Sequence, residues 1–200
     1  MTAWVDTGRF VREFVRDPLH TASVAPSSRA LAAAMVRPLP ASGTPVVVEL
    51  GPGTGAFTRA IQERTGGRAR HVAVELNARW AQLLAERHAE VDVVQADARE
   101  LPRLLADRGL PAADAVVSGL PWVAHSPGPD GRGLHSVITG VLAPGGVFTQ
   151  FGYTWTRWAP PARRQLADLR AHFAEVTTSR TVWRNLPPAI VNEARRPRRP

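Results

Sequence analysis

The stretch Val46-Val47-Val48-Glu49-Leu50-Gly51-Pro52-Gly53-Thr54-Gly55-Ala56-Phe57-Thr58 constrains the fold more than any other part of the chain. Consecutive valines favour extended backbone, because a branched Cβ packs well on a pleated surface. Glycine then recurs at every second position, which permits positive φ and lets the backbone approach a ligand closely. Apolar residues return at helical spacing in Ala56, Phe57, Ala60 and Ile61. The order is strand, tight turn, helix, and the first helical N–H groups, unpaired within the helix, face the same crevice as the glycines. A nucleotide-like ligand belongs there.

Spacing alone leaves two ligands open, since Gly51, Gly53 and Ala56 also satisfy the relaxed dinucleotide pattern G-x-G-x-x-[GA]. Glu49 separates them. A carboxylate two residues before the first glycine repels a pyrophosphate seated on the turn, whereas it suits a cation carrying an ammonium and a sulfonium. S-adenosyl-L-methionine (SAM) is such a cation, and the expected picture is an anionic rim at the mouth of the turn.

With 200 residues the chain is expected to form one main domain with a substantial core. It has no cysteine, which excludes disulfides and thiolate metal sites, and its six histidines show no metal-ligand spacing. No apolar run reaches the roughly 18 residues of a membrane span, and the N-terminus, with Asp6 and Glu13, lacks a signal-peptide block. A cytoplasmic location is therefore expected. The formal charge is +8, and all 25 basic residues are arginine. Arginine's planar fork suits phosphate, so anionic lipid and RNA are candidate partners, although arginine, alanine and proline enrichment also follows from a GC-rich coding sequence.

On a helical projection Trp4 to Arg16 gathers Trp4, Phe10, Val11, Phe14 and Val15 on one face and Arg9, Arg12, Glu13 and Arg16 on the other. Such a helix suits peripheral contact with the inner face of a membrane, or docking onto the main domain as a lid. Asp17-Pro18 ends it. A serine of Pro26-Ser27-Ser28 can cap a second helix over Ala30 to Val36. The expected organisation is a helical cap and membrane-contact region over 1–40, a cofactor domain over 41–194 and a disordered basic tail over 195–200 carrying Arg195, Arg196, Arg198 and Arg199.

Beyond the glycine loop, apolar segments at His71 to Glu75, Val91 to Gln95, Asp114 to Gly119 and Val147 to Phe151 alternate with helical patterns at Ala78 to Arg87, Arg99 to Asp107 and Gly133 to Val141. Continuously apolar strands alternating with helices predict an α/β fold: a mostly parallel, seven-stranded, Rossmann-like sheet covered on both faces. A helix over Arg163 to His172 and an antiparallel pair, Glu175 to Trp183 with Ala189 to Glu193, close the sheet.

In such sheets ligands collect at the carboxyl ends of the strands, and the polar landmarks fall there. Glu75, 20 residues after Gly55, can accept from both ribose hydroxyls of an adenosyl group. Asp97 can accept from the adenine amine while the Ala98 amide pairs with a ring nitrogen. The expected cofactor-binding set is Glu49, Gly51, Gly53, Gly55, Glu75, Leu76, Asp97, Ala98 and Ser118. The fourth strand runs out in Ser118-Gly119-Leu120-Pro121-Trp122, where the aromatic face of Trp122 can hold a cationic amine or simply close the sheet. His125 lies in a proline- and glycine-rich loop and can accept a proton; Tyr153 lines the acceptor side or serves packing. Trp122, His125 and Tyr153 form the candidate catalytic set.

The glycine loop, Glu75 and Asp97-Ala98 together resemble the class I SAM-dependent methyltransferases, over roughly residues 46–151. Four segments resemble, more narrowly, the bacterial phospholipid N-methyltransferases that convert phosphatidylethanolamine toward phosphatidylcholine. They are Asp17-Pro18 with Val24-Ala25-Pro26-Ser27-Ser28-Arg29, the stretch Val48 to Gly55, Ser118-Gly119-Leu120-Pro121, and Val182-Trp183-Arg184-Asn185-Leu186-Pro187-Pro188. The resemblance implies an enzyme that visits the membrane through its N-terminal helix and methylates a headgroup amine, with Glu49, Gly51, Gly53 and Glu75 at the cofactor. Trp122, the His125 to Gly133 loop and the Asn192 to Pro200 tail depart from that pattern. Ribosomal RNA adenine dimethyltransferases share the glycine loop, but their acceptor motif begins with asparagine where this chain has Gly119, so nucleic acid is not the expected partner. A small-molecule or secondary-metabolite acceptor on the same scaffold is the alternative to lipid.

Overall fold

A computed structural model describes residues 27–120 and 133–198. The expected amphipathic helix at 4–16, Trp122 and His125 lie outside the described residues. The first described helix, α1, spans Arg29–Val36, where Ser28 Oγ accepts from the Leu31 N–H at 3.1 Å. In chain order there follow β1 (Val46–Leu50), α2 (Ala56–Thr65), β2 (Arg70–Glu75), α3 (Ala78–Arg87), β3 (Asp92–Gln95), α4 (Leu101–Ala106), β4 (Ala113–Ser118), α5 (Leu134–Val141), β5 (Leu142–Tyr153), α6 (Pro160–His172), β6 (Phe173–Thr178) and β7 (Ala189–Pro197).

The strands form one seven-stranded sheet of order β3-β2-β1-β4-β5-β7-β6. β1 to β5 are parallel to one another, and β7 runs antiparallel between β5 and β6. The mostly parallel α/β architecture expected from the sequence is the one observed. Between β1 and β4 the winding reverses, and the crevice above their carboxyl ends is where such sheets bind ligands.

Both faces of the sheet are covered, so the central strands carry no polar alternation. Val48 and Leu50 face one core layer with Leu101, Leu104, Ile138 and Phe148. Val47 and Val117 face the other, with Leu31, Met35, Phe57 and Ile61 from α1 and α2. Among the described residues no helix is long and apolar enough to cross a membrane.

Two expectations at the C-terminal end need correction. β6 ends at Thr178 rather than running to Trp183, and Val182 returns only as an isolated bridge to Ala189. β7 continues to Pro197, so Arg195 and Arg196 belong to the sheet and not to a disordered tail. Ladder pairing and charge outweigh the local composition: Arg195 sits opposite Val147 and Glu175, its Nε is 2.7 Å from Glu193 Oε1, and Arg196 Nη1 is 3.1 Å from Glu175 Oε1.

The fold also gathers three groups that sequence spacing kept apart. His135 Nδ1 is 2.6 Å from Asp168 Oδ2, and His172 Nδ1 is 3.3 Å from Asp168 Oδ1 and 2.9 Å from the Asp168 carbonyl. Hydrogen bonding accounts for this grouping, which ties buried His135 of α5 to α6.

Candidate functional site

Gly51, Gly53 and Gly55 all have positive φ, at 66°, 51° and 84°. The turn is held from both sides: the Gly51 N–H donates to the Val74 carbonyl at 2.9 Å, and the Gly119 N–H donates to the Leu50 carbonyl at 2.8 Å. A Cβ at Gly53 would meet nothing within 4 Å. Here left-handed backbone and open space coincide, which is the cradle a close-lying ligand requires. Gly55 caps α2 without a side chain, leaving the first amides of the helix facing the crevice.

Glu49 does not stand on the rim. Its side chain is fully buried beneath the loop, where Oε2 accepts from Thr58 Oγ1 at 2.8 Å and lies 3.2 Å from His71 Nε2. Oε1 has no hydrogen-bond partner. A buried carboxylate oxygen left unsatisfied is costly, and it marks a place where a cationic group or a water would be stabilised. Sequence spacing identified the acid but not Thr58 of α2 or His71 of β2, because these partners are contributed by other elements.

Glu75, at the end of β2, bridges two backbone donors: Gly53 N–H reaches Oε2 at 3.2 Å and Asn77 N–H reaches Oε1 at 3.0 Å. The acid thereby fastens the glycine loop to the end of the neighbouring strand. Asn77 in turn caps α3, its side-chain oxygen accepting from the Arg79 and Trp80 amides. Between them Leu76 is 69% exposed, a large apolar side chain displayed beside the two acids' strand ends. The Ala96 N–H donates to the Glu75 carbonyl at 3.1 Å, which brings Asp97 and Ala98 into the same row. Asp97 caps a short 3₁₀ turn over Ala98–Glu100, accepting from Arg99 N–H at 2.8 Å while Glu100 accepts from the Asp97 N–H.

On the other side of the reversal, Ser118 is buried and its hydroxyl faces the Leu120 amide at 3.4 Å. Gly119 presses on the loop so closely that a Cβ there would lie 2.6 Å from the Gly51 carbonyl oxygen. Tyr153 ends β5. Its ring meets Phe151 edge-on at 5.5 Å, and Phe151 meets Phe57 in the first turn of α2 at 5.8 Å. Burial pushes the Tyr153 hydroxyl above its ordinary 10.0, so it stays protonated at neutral pH and is unsuited to act as a base. Glu75, the three glycines, Leu76, Asp97 and Ser118 thus converge on one edge. Trp122 and His125, which would complete the acceptor side, lie outside the described residues.

Residues 47–146 match the methyltransferase domain family. The chain belongs to that family. As a methyltransferase it uses S-adenosyl-L-methionine, and the open Gly53, the unsatisfied Glu49 oxygen and the exposed Leu76 fit that group. It is 40% identical over 183 residues to an ornithine lipid N-methyltransferase of Singulisphaera acidiphila, covering 90% of this chain and 91% of that one. Solved structures share the fold at low identity. The precorrin-6y C5,15-methyltransferase of Geobacter metallireducens superposes with a TM-score of 0.57 at 18% identity, over 83% of this methyltransferase and 85% of that chain. Human methyltransferase-like protein 13, in complex with SAH, gives a TM-score of 0.60 at 16% identity, over 84% and 78%.

Two flanking segments, one of them on each side of the methyltransferase core, meet in space. Ser28 N–H donates to Asn185 Oδ1 at 2.9 Å, and Asn185 Nδ2 donates to the Pro187 carbonyl at 2.8 Å. Asn185, 5% exposed, therefore locks the entry of α1 to the turn between β6 and β7. The hydrogen bond spans 157 positions and joins the Pro-Ser-Ser and Arg-Asn-Leu-Pro-Pro segments of the sequence.

Proposed function

We propose that this methyltransferase transfers methyl groups to the amine of a membrane-lipid headgroup. The observation that carries the reading is the 40% identity, across nine-tenths of both chains, to a lipid N-methyltransferase. The acceptor is a primary amine of the phosphatidylethanolamine type expected from the sequence, or of the ornithine-lipid type named by that relative. The enzyme works as a peripheral protein at the membrane surface.

Bound in the crevice, S-adenosyl-L-methionine supplies a methyl carbon made electrophilic by the sulfonium. The chain's own residues hold and orient. The open backbone at Gly53 and the first amides of α2 would line the methionine end, with buried Glu49 beneath them supplying negative potential, which is strong in a poorly solvated setting. Glu75 would accept from ribose hydroxyls, exposed Leu76 would offer the base an apolar surface, and Asp97 with Ala98 would read the adenine edge. Headgroup amines are ammonium ions at neutral pH and must lose a proton before the lone pair can attack. His125 is the proposed proton acceptor and Trp122 the aromatic face for the cation. Tyr153, held protonated, acts by hydrogen bonding and shape. Much of the rate then comes from orientation, since well-placed reactants gain up to about 7–11 kcal/mol.

The test is direct. Purified protein with S-adenosyl-L-methionine and vesicles containing phosphatidylethanolamine or ornithine lipid should yield mono-, di- or trimethylated lipid by mass spectrometry. No methylated product from either lipid rejects the reading.

A further inference from the structure

Four aromatic or aliphatic side chains remain outside the core at one corner of the fold. Trp158 is 71% exposed, Trp183 76% and Leu186 74%, with Trp155 partly exposed beside them. The two segments that carry them adjoin, because Tyr153 of β5 pairs with Ala189 of β7 and the Thr154 N–H donates to the Pro188 carbonyl at 2.9 Å. β5 is parallel to β1 and β4, so its end and this corner lie at the same edge of the sheet as the glycine loop. Large apolar side chains gathered beside a ligand crevice mark an interaction surface.

Charge identifies what covers it. Residues 154–167 and 179–188 contain five arginines and no acidic residue. Arg157, Arg163, Arg164, Arg180 and Arg184 are all exposed and enter no ion pair among the described residues. The Arg157 guanidinium lies 4.4 Å above the Trp158 ring, so apolar and cationic groups share one surface instead of separating. Tryptophan settles at the headgroup level of a bilayer, and arginine near an anionic surface binds its phosphates.

We propose that the corner formed by Trp158, Trp183 and Leu186 with their flanking arginines docks on an anionic phospholipid bilayer, setting the mouth of the crevice against the membrane. This rests on the reading that the acceptor is a membrane lipid. It adds a contact on the folded domain itself, separate from the helix expected at residues 4–16.

The experiment measures co-sedimentation of the full chain with phosphatidylcholine vesicles, with and without phosphatidylglycerol, neither of which carries a free primary amine headgroup. The wild type should bind the mixed vesicles and bind phosphatidylcholine alone far more weakly. The variant Trp158→Ser/Trp183→Ser/Leu186→Ser should bind at least roughly tenfold more weakly. Trp158→Phe/Trp183→Phe should retain binding, because it keeps an apolar aromatic at each position. Melting curves confirm folding, and turnover on a water-soluble short-chain amino lipid should be unchanged in the triple variant while turnover on vesicles falls. The proposal is overturned if the wild type ignores phosphatidylglycerol or if the triple variant binds as the wild type does. It is also overturned if the loss coincides with dissociation of a protein oligomer in vesicle-free sedimentation. Patch-dependent binding without any methyl transfer would leave the docking surface standing and reject the acceptor instead.

Discussion

Replacing Gly119 by alanine should damage cofactor binding even though the residue offers no side chain to the cofactor. An alanine Cβ would lie 2.6 Å from the Gly51 carbonyl oxygen and 3.4 Å from Phe57 Cε2. Side-chain Cβ atoms essentially never approach within 3.0 Å, so the two backbones must part by at least 0.4 Å. Two hydrogen bonds oppose this movement: Gly119 N–H to the Leu50 carbonyl at 2.8 Å and Gly51 N–H to the Val74 carbonyl at 2.9 Å. Overpacking of this kind costs about 1–3 kcal/mol. For a chain of this size that corresponds to a melting temperature lower by roughly 2–12 °C. Displacing Gly51 also carries Gly53 away from Glu75, a bond already 3.2 Å long, so affinity for S-adenosyl-L-methionine should fall about 5- to 150-fold in calorimetry. Gly140→Ala is the control, because its Cβ would meet nothing within 4 Å and the residue is helical with ordinary φ. It should be neutral or stabilising by up to about 1 kcal/mol. A Gly119→Ala protein that melts lower yet binds the cofactor normally would refute the coupling of β4 to the loop.

Glu75→Ala removes the acceptor of both the Gly53 and Asn77 amides, and hydrogen bonds to a charged group are each worth about 1.5–3 kcal/mol, so cofactor affinity should fall roughly tenfold or more. Unchanged calorimetric affinity would reject the cofactor assignment. Asn185→Ala strands the Ser28 amide and the Pro187 carbonyl and should lower unfolding stability by about 2 kcal/mol in urea titrations; an unshifted midpoint would show that α1 is held otherwise. Tyr153 is the sole tyrosine, so its tyrosinate absorbance is a clean probe. Because burial raises its folded value above 10.0, its contribution to stability is complete below pH 10 and declines as pH rises past 10, where only the unfolded state readily ionises. The folded protein should titrate above the unfolded one, and coincident curves would contradict the burial.

The parts of the site legible in the sequence are those that local chemistry dictates. A glycine every second residue after a valine run, and acids at Glu75 and Asp97 just where apolar runs end, carry their meaning within a few positions. Glu49 shows where that stops. β1 is covered on both faces, so its hydrophobic run has no alternation to tell whether an acid points into the core or onto a rim. Its burial is settled by Thr58 on α2 and His71 on β2, and neither neighbour is visible from spacing. The end of β7 failed for the opposite reason. Arginine and proline composition argues for disorder, but pairing with β5 and the acids Glu193 and Glu175 supplies what local sequence lacks. The link between Ser28 and Asn185 was present only as two separate segments of one resemblance.

A formal charge of +8 is a property of the whole chain, whereas docking depends on where uncompensated charge sits. Two arginines elsewhere in the fold do face acids: Arg103 lies 2.6 Å from Glu100 and 2.9 Å from Asp107, and Arg108 lies 2.6 Å from Asp92. A coding bias toward arginine would raise the count without sorting the acids away from one corner. Two double variants of equal charge change therefore separate composition from placement. Arg163→Gln/Arg164→Gln should weaken binding to phosphatidylglycerol vesicles about tenfold or more and flatten its salt dependence, since two uncompensated charges near the surface are lost. Arg103→Gln/Arg108→Gln lowers the net charge equally but removes compensated groups, and should leave vesicle binding within about threefold of the wild type. Equal losses in the two variants would mean that net charge alone draws the protein to the membrane, and the corner at Trp158 and Trp183 would have no special standing.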